Sequence, residues 1–198
     1  MLKKGQLPIM ITSSLILAFF LVYFIATKNS EFIVYTIIVL LLAWLVIGTM
    51  KNLQLPNIVL WGLLAWATMH LAGGAFSFFG TRLYDTIFIA IVGEPYNILR
   101  YDQLIHIFGF GVATLTVYFL IKPKLKPNHK WVALSIVLVM AGTGLGALNE
   151  ILEFMTTVIS PVTGVGGYIN NSVDLVSNLI GAVIAMVGIY FYERKKKN

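Results

Sequence analysis

The stretch from 102 to 155 reads DQLIHIFGFGVATLTVYFLI (102–121), KPKLKPNHK (122–130) and WVALSIVLVMAGTGLGALNEILEFM (131–155). Two apolar runs flank a short segment holding Lys122, Lys124, Lys126 and Lys130. A helix rises about 1.5 Å per residue, so about 20 apolar residues cross the ~30 Å hydrocarbon core of a bilayer. Both runs reach that length. Each also keeps its ionisable residues at the end away from the lysines: Asp102 and His106 in the first run, Glu150 and Glu153 in the second. The stretch therefore reads as a membrane helical hairpin with a basic turn and a polar far end.

Working outward, three apolar runs precede it (Pro8–Ala26, Phe32–Met50 and Pro56–Leu71) and one follows (Asn171–Tyr192). With Asp102–Ile121 and Trp131–Met155 they predict six transmembrane helices in a single all-α domain over residues 1–198. The composition agrees, at 59% hydrophobic and only 11% charged, against about 25% charged in soluble domains. The chain has no cysteine, which excludes disulfides, thiolate metal sites and cysteine nucleophiles. Lys3 and Lys4 before an apolar run resemble the start of a secretory signal. The run is long enough to span and no small-residue cleavage site follows, so it reads as a retained first helix. Thr86–Val92 is apolar but too short to cross, and is expected in a re-entrant or interfacial segment.

The net charge of +6 does not point to nucleic acid, because the basic residues sit in short runs beside apolar stretches. With the N-terminus in the cytoplasm, six helices put all of the 14 Lys+Arg residues on the cytoplasmic side except Lys28, Arg82 and Arg100. Such a bias is the signature of a correct span count and predicts both termini inside. A five-helix count would put the 122–130 lysines outside and is rejected. The expected location is the cytoplasmic (plasma) membrane, in contact with membrane lipids. The Lys/Arg tail reads as a topology signal and an anchor to anionic lipid. Small residues that permit close helix packing are Gly109 and Gly111, then Gly142, Gly144, Gly146 and Ala147, then Gly181, Ala185 and Gly188. They suit a monomer or a dimer equally.

Ionisable residues inside spans are costly and by default face the bundle interior at a functional site. Asp102 and His106 are four apart, Glu150 and Glu153 three apart beside Asn149, and Asn171, Asp174 and Asn178 fall at offsets of three and seven. Each set shares one helical face, and His70 joins them from the third span. Counted from Pro56, Lys122, Lys130 and Tyr192, all lie roughly 20–35 Å along their helices, in the outer third of the membrane. Four helices thus deliver polar groups to one level near the extracytoplasmic face.

Asp102, His106, Glu150, Glu153 and Asp174 form an oxygen-rich set with an imidazole. It suits a divalent ion such as Zn, Mn or Fe, or Mg if histidine is not a ligand. Without an ion, a carboxylate and histidine could form a general acid–base pair. Blander readings stand beside these. Asp102 and Asn171 could be N-caps, His70 could simply bond a nearby carbonyl, and the cluster could be a packing network. Polar contacts between membrane helices return only ~0.6 kcal/mol on average, a weak reason to bury several carboxylates, and the functional reading is preferred. In the outer segment Gly73–Arg100, Phe76, Phe78, Phe79 and Tyr84 are expected as interface anchors, with a lid over the site as the alternative. Gly164, Gly166 and Gly167 are expected to loosen the last outer loop.

The segments His70-Leu71-Ala72-Gly73-Gly74, Leu99-Arg100-Tyr101-Asp102 with His106 and Gly109, Asn149-Glu150-Ile151-Leu152-Glu153-Phe154, and Asp174 with Asn178-Leu179-Ile180-Gly181-Ala182 resemble the YjdF-type inner-membrane proteins, an uncharacterised bacterial family. The resemblance spans about Pro56 to Gly188. A looser one reaches VanZ-like membrane proteins, a group linked to glycopeptide-antibiotic tolerance at the cell surface. The first implies a common fold and a shared site of Asp102, His106, Glu150, Glu153 and Asp174, but no reaction. Where that family tends to place an acid four residues before the late aspartate, this chain has Asn170, which argues against a two-metal site. Three functions then compete. One is an enzyme, metal-dependent or acid–base, acting on a lipid or lipid-linked envelope substrate. The second is a proton-coupled small-solute carrier. The third is an accessory protein that binds lipid, ion or partner without turnover.

Overall fold

The computed structural model describes residues 4–49, 55–159 and 167–197. Among the described residues there are six helices long and apolar enough to cross a membrane. They are α1 (Gln6–Ala26), α2 (Ser30–Thr49), α3 (Asn57–Ala75), α4 (Tyr101–Ile121), α5 (Trp131–Ile159) and α6 (Tyr168–Lys197). The bundle of six helices expected from the sequence is what forms. Most boundaries run past the apolar stretches, by four residues at the end of α3 and of α5, because hydropathy marks the extent of the hydrocarbon core while helical hydrogen bonding continues beyond it. Met50, Lys3, Lys51, Gly164 and Gly166, on which expectations were also placed, lie outside the described residues.

Successive helices alternate in direction. At one end, the Asn57 amide at the start of α3 donates to the Lys4 carbonyl beside α1 (3.1 Å), and Lys122 after α4 pairs with Glu193 of α6 (2.5 Å). At the other, Tyr23 of α1 donates to the Ala75 carbonyl ending α3 (2.8 Å), and Tyr101 opening α4 donates to the Met69 carbonyl (3.0 Å). The first is the basic end; the second carries the polar groups.

Two apolar clusters close the basic half: Ile9, Leu55, Val59 and Leu60 on one side, and Tyr118, Leu134, Leu138, Met186 and Ile189 on the other. A third joins α1, α2 and α3 through Phe20, Phe24, Phe32, Tyr35 and Leu71. The outward faces are just as apolar, with Leu15, Trp44 and Val132 all exposed, as lipid contact requires.

The segment between α3 and α4 departs from the all-helical expectation. It holds two small antiparallel hairpins: β1 (Ser77–Phe78) with β2 (Thr81–Arg82), and β3 (Ile87–Val92) with β4 (Ile98–Arg100). Thr86–Val92, expected as a re-entrant or interfacial segment, is largely a strand. Its Ile and Val residues favour extended backbone, and six residues suffice for a strand but not for a stable helix. Phe78 and Phe79 are exposed as anchors would be, whereas Tyr84 is folded back into the bundle.

Glycine decides the tightest crossing. A methyl group on Gly181 of α6 would run into the backbone carbonyl of Ile107 on α4, and one on Gly111 would meet the Gly181 carbonyl at 3.2 Å. The two backbones touch, as small residues permit in lipid. Gly142 likewise faces Thr114 and Ala182, and Gly146 faces Asn178. Gly144 and Gly188, grouped with these from sequence, look onto open space and make no close packing. Gly181→Ala should therefore cost about 1–3 kcal/mol of stability through overpacking, whereas Gly188→Ala should be neutral or gain up to ~1 kcal/mol of helix propensity. Thermal midpoints of the two purified variants in one detergent check the contrast.

Candidate functional site

The site is assembled where the start of α4 meets the end of α5 and the start of α6. Leu99 holds a positive φ of 83°, a conformation that bulky residues rarely adopt. The Gln103 side-chain carbonyl secures it by accepting from the backbone N–H of Leu99 (2.6 Å) and of Arg100 (3.0 Å). Gln103, not Asp102, therefore organises the start of α4, and the carboxylate of Asp102 is released from capping to face inward. Asn171 is not a cap either. The helix begins at Tyr168, and the Asn171 amide donates to Glu150 Oε2 across to α5 (2.8 Å).

His106 is the hub. Its Nε2 lies 3.4 Å from Asp102 Oδ1, and its Nδ1 lies 2.8 Å from Asn178 Oδ1 and 3.4 Å from Glu150 Oε1. Two ligand-like groups converge on it, each with its donor atoms within 4.8 Å of one another: Asp102, His106 and Asp174, and His106, Glu150 and Glu153. The neighbouring amides hold these carboxylates. Asn149 donates to Glu153 Oε1 (2.8 Å), and Asn170 Nδ2 donates to both Asp174 Oδ2 (2.5 Å) and Asp102 Oδ2 (3.3 Å). Asp174 and Asn178 are completely buried. Yet among the described residues Asp174 Oδ1 accepts no hydrogen bond, an expensive condition for a buried polar atom. Four carboxylates also outnumber one imidazole, and protons or a cation must balance the excess charge.

The structure thus brings Asp102, His106, Glu150, Glu153 and Asp174 together, with Asn149, Asn171 and Asn178 as their amide partners. His70 stands apart from the ligand groups. It is stacked on Trp66 at 5.6 Å between ring centroids and bonded through Nδ1 to the Tyr84 hydroxyl rather than to a carbonyl. Burial pushes the Tyr84 phenol well above its ordinary value. Gly73 makes this possible, since a side chain there would collide with the rings of Tyr84 and Tyr101.

A polar cavity of about 50 Å³ leads into the site from the end of the bundle. His70, Tyr84, Asp102, Glu153 and Asn170 line it together with Glu31, Arg82 and Arg100. Arg82 is engaged by Asp85 at 2.9 Å and Glu31 at 3.9 Å. Burial opposes its charge, but these carboxylates hold it above the usual arginine value. Asn170 joins the two features, because its Oδ1 accepts from Arg100 Nη1 (3.3 Å) while its amide bridges the two aspartates. Sequence reasoning noted Asn170 only as a missing acid. Its position one turn before Asp174 was the signal for a same-face partner.

Fold and site together define a polytopic, six-helix membrane protein with a buried Asp/His/Glu cluster at one end. The chain belongs to the family described as predicted membrane protein (DUF2238), whose match covers residues 8–195. No curated protein and no solved structure matches it.

The amide partners make a direct test of this network. Asn171→Leu leaves Glu150 Oε2 buried without its donor and should cost about 1–3 kcal/mol, while Ser172→Leu, on the exposed neighbouring position, should shift stability by less than ~0.5 kcal/mol. Thermal unfolding of the two variants measures the difference.

Proposed function

We propose that the protein is a divalent-metal-dependent enzyme of the bacterial cytoplasmic membrane, acting on a lipid or lipid-linked envelope substrate from the extracytoplasmic side. One observation carries it: the pairing of His106 Nδ1 with Asn178 Oδ1, with Nε2 turned toward Asp102 Oδ1 and with Asp102, His106 and Asp174 offering donor atoms within 4.8 Å of one another. A histidine that donates from one nitrogen to a carbonyl presents the lone pair of the other, which is how metal-binding histidines are held. The 3.4 Å separation from Asp102 is long for an N–H···O bond and fits two ligands flanking a common point. The ligands are Asp102, His106 and Asp174, with Asn170 and Asn178 orienting them. Two carboxylates and an imidazole suit Zn, Mn or Fe.

An ion there supplies a Lewis acid that stabilises developing negative charge. Glu153 lines the cavity beside Asp102 and is placed to accept a proton from water or a substrate hydroxyl. Glu150 stays locked to Asn171 and supports the cluster's geometry. The extracytoplasmic orientation is supported by the basic residues of the described segments, which gather at the opposite end of the bundle except for Lys28, Arg82 and Arg100. A carrier is disfavoured because Tyr118, Leu138 and Met186 close the basic half below the site. We take the family to be that of the YjdF-type proteins, on the motifs within the 8–195 match. The looser VanZ likeness rests on the Asp102–His106 helix start and the late Asp174 and Asn178 alone.

The same contacts without an ion would make Asp102–His106 an acid–base dyad, so the decisive measurement is elemental analysis of the detergent-purified protein. One transition-metal ion per chain is expected. Asp174→Asn should lose it by at least ~10-fold, as disturbed metal shells do, while Glu153→Gln should retain it. Chelator-stripped protein should recover the ion from Zn, Mn or Fe salts. A metal-free protein with both variants folded would sink this reading and favour the dyad or a binding protein without turnover.

A further inference from the structure

The geometry points to the substrate class of that same site: a lipid with a small phosphate head, its chain lying between the β3–β4 hairpin and α6 and its phosphate at Arg100. This rests on the proposal above that the buried cluster is a reaction centre. A groove of about 320 Å³ is lined by Tyr96 of the hairpin and by Tyr168, Ile169, Ser172, Val173 and Val176 of α6, a largely apolar surface. It lies directly beside the site. Ile169 is peptide-bonded to Asn170 and Val173 to Asp174, so one turn of α6 faces the groove with some residues and the buried carboxylates with the next.

The hairpin makes the same connection. Tyr96 borders the groove, and four residues later Arg100 lines the polar cavity. Arg100 is also the available anion donor. It offers five N–H groups and spends one on Asn170 at 3.3 Å, with no carboxylate in ion-pair range among the described residues. Arg82 by contrast is held by Asp85 and Glu31.

Every residue of β3, Ile87 to Val92, is apolar and exposed, and strand side chains alternate between faces. An exposed strand apolar on both faces marks a surface for apolar partners or membrane, and the proposed chain enters past it from the leaflet. A phosphomonoester head leaves its terminal oxygens free for Arg100, whereas esterification by choline occupies one of them.

Native mass spectrometry of the full chain in detergent tests this, with dioleoyl phosphatidic acid, dioleoyl phosphatidylcholine and inorganic phosphate as probes. Phosphatidic acid should be retained about tenfold better than phosphatidylcholine, the ratio that one charged hydrogen bond confers. Arg100→Gln should abolish that preference, and Val176→Trp, which fills the groove, should lower retention of both lipids. Metal content, measured on the same samples, should be unchanged in Val176→Trp, which reports folding and keeps the two proposals separable. Equal retention of the two lipids by wild type with metal present would overturn this inference alone. Displacement of phosphatidic acid by millimolar inorganic phosphate would overturn it too, by making the lipid chain irrelevant. A phosphatidic acid preference that survives in metal-free protein would leave it standing while the metal reading falls.

Discussion

One imidazole surrounded by four carboxylates, all held inside a bundle whose outer surface meets lipid, is the arrangement on which the rest of this molecule depends. A small polar cavity opens onto Asp102 and Glu153, whereas Glu150 and Asp174 are buried, so the protein itself must satisfy most of the carboxylate oxygens. The chain does this with side-chain amides: Asn149 serves Glu153, Asn171 serves Glu150, and Asn170 serves both aspartates. Neutral donors stabilise the carboxylates without neutralising them. That leaves a surplus of negative charge focused on the two sides of His106, and among the described residues it leaves Asp174 Oδ1 without a donor. A network built only to pack helices has no reason to leave such an atom unmet, since it costs stability.

The backbone contact of α4 and α6 makes that arrangement possible. Gly111 and Gly181 bring the two helices together until a methyl group would collide, and at that separation Asn178 reaches the ring of His106 and Asn170 spans from Asp174 to Asp102. Gly146 does the same for α5, giving Asn178 room beside it. The small residues are therefore tied to the polar cluster by distance: larger side chains would open the crossing and pull the ligating groups out of reach of one another.

The segment between α3 and α4 acts as more than a connection. Gly73 lets Tyr84 and Tyr101 lie across the end of α3, and Tyr84 closes over His70. The β3–β4 hairpin delivers Arg100 to the cavity through the unusual backbone of Leu99, pinned by Gln103. A polar mouth and an apolar groove thus share two elements, α6 and the hairpin, which is the layout an amphiphile would match.

The sequence by itself determined the membrane class, the count of six spans and the common level of Asp102, His106, Glu150, Glu153 and Asp174, because hydrophobic length, the uneven placement of lysine and arginine, and helical rise are properties of the chain read locally. It also separated one face of each helix from the others. What it left open was which nitrogen of His106 meets which oxygen, that Asn170 bridges the aspartates, and that Asn171 serves Glu150 instead of capping its helix. It did not show that Ile87–Val92 is extended, since its apolar run has no period of its own, and it grouped Gly144 and Gly188 with the packing glycines although nothing among the described residues lies against them. Those matters depend on how far apart helices sit and how they are rotated about their axes. Only the tertiary structure decides that, because spacing along a helix says which side chains share a face but not what that face meets.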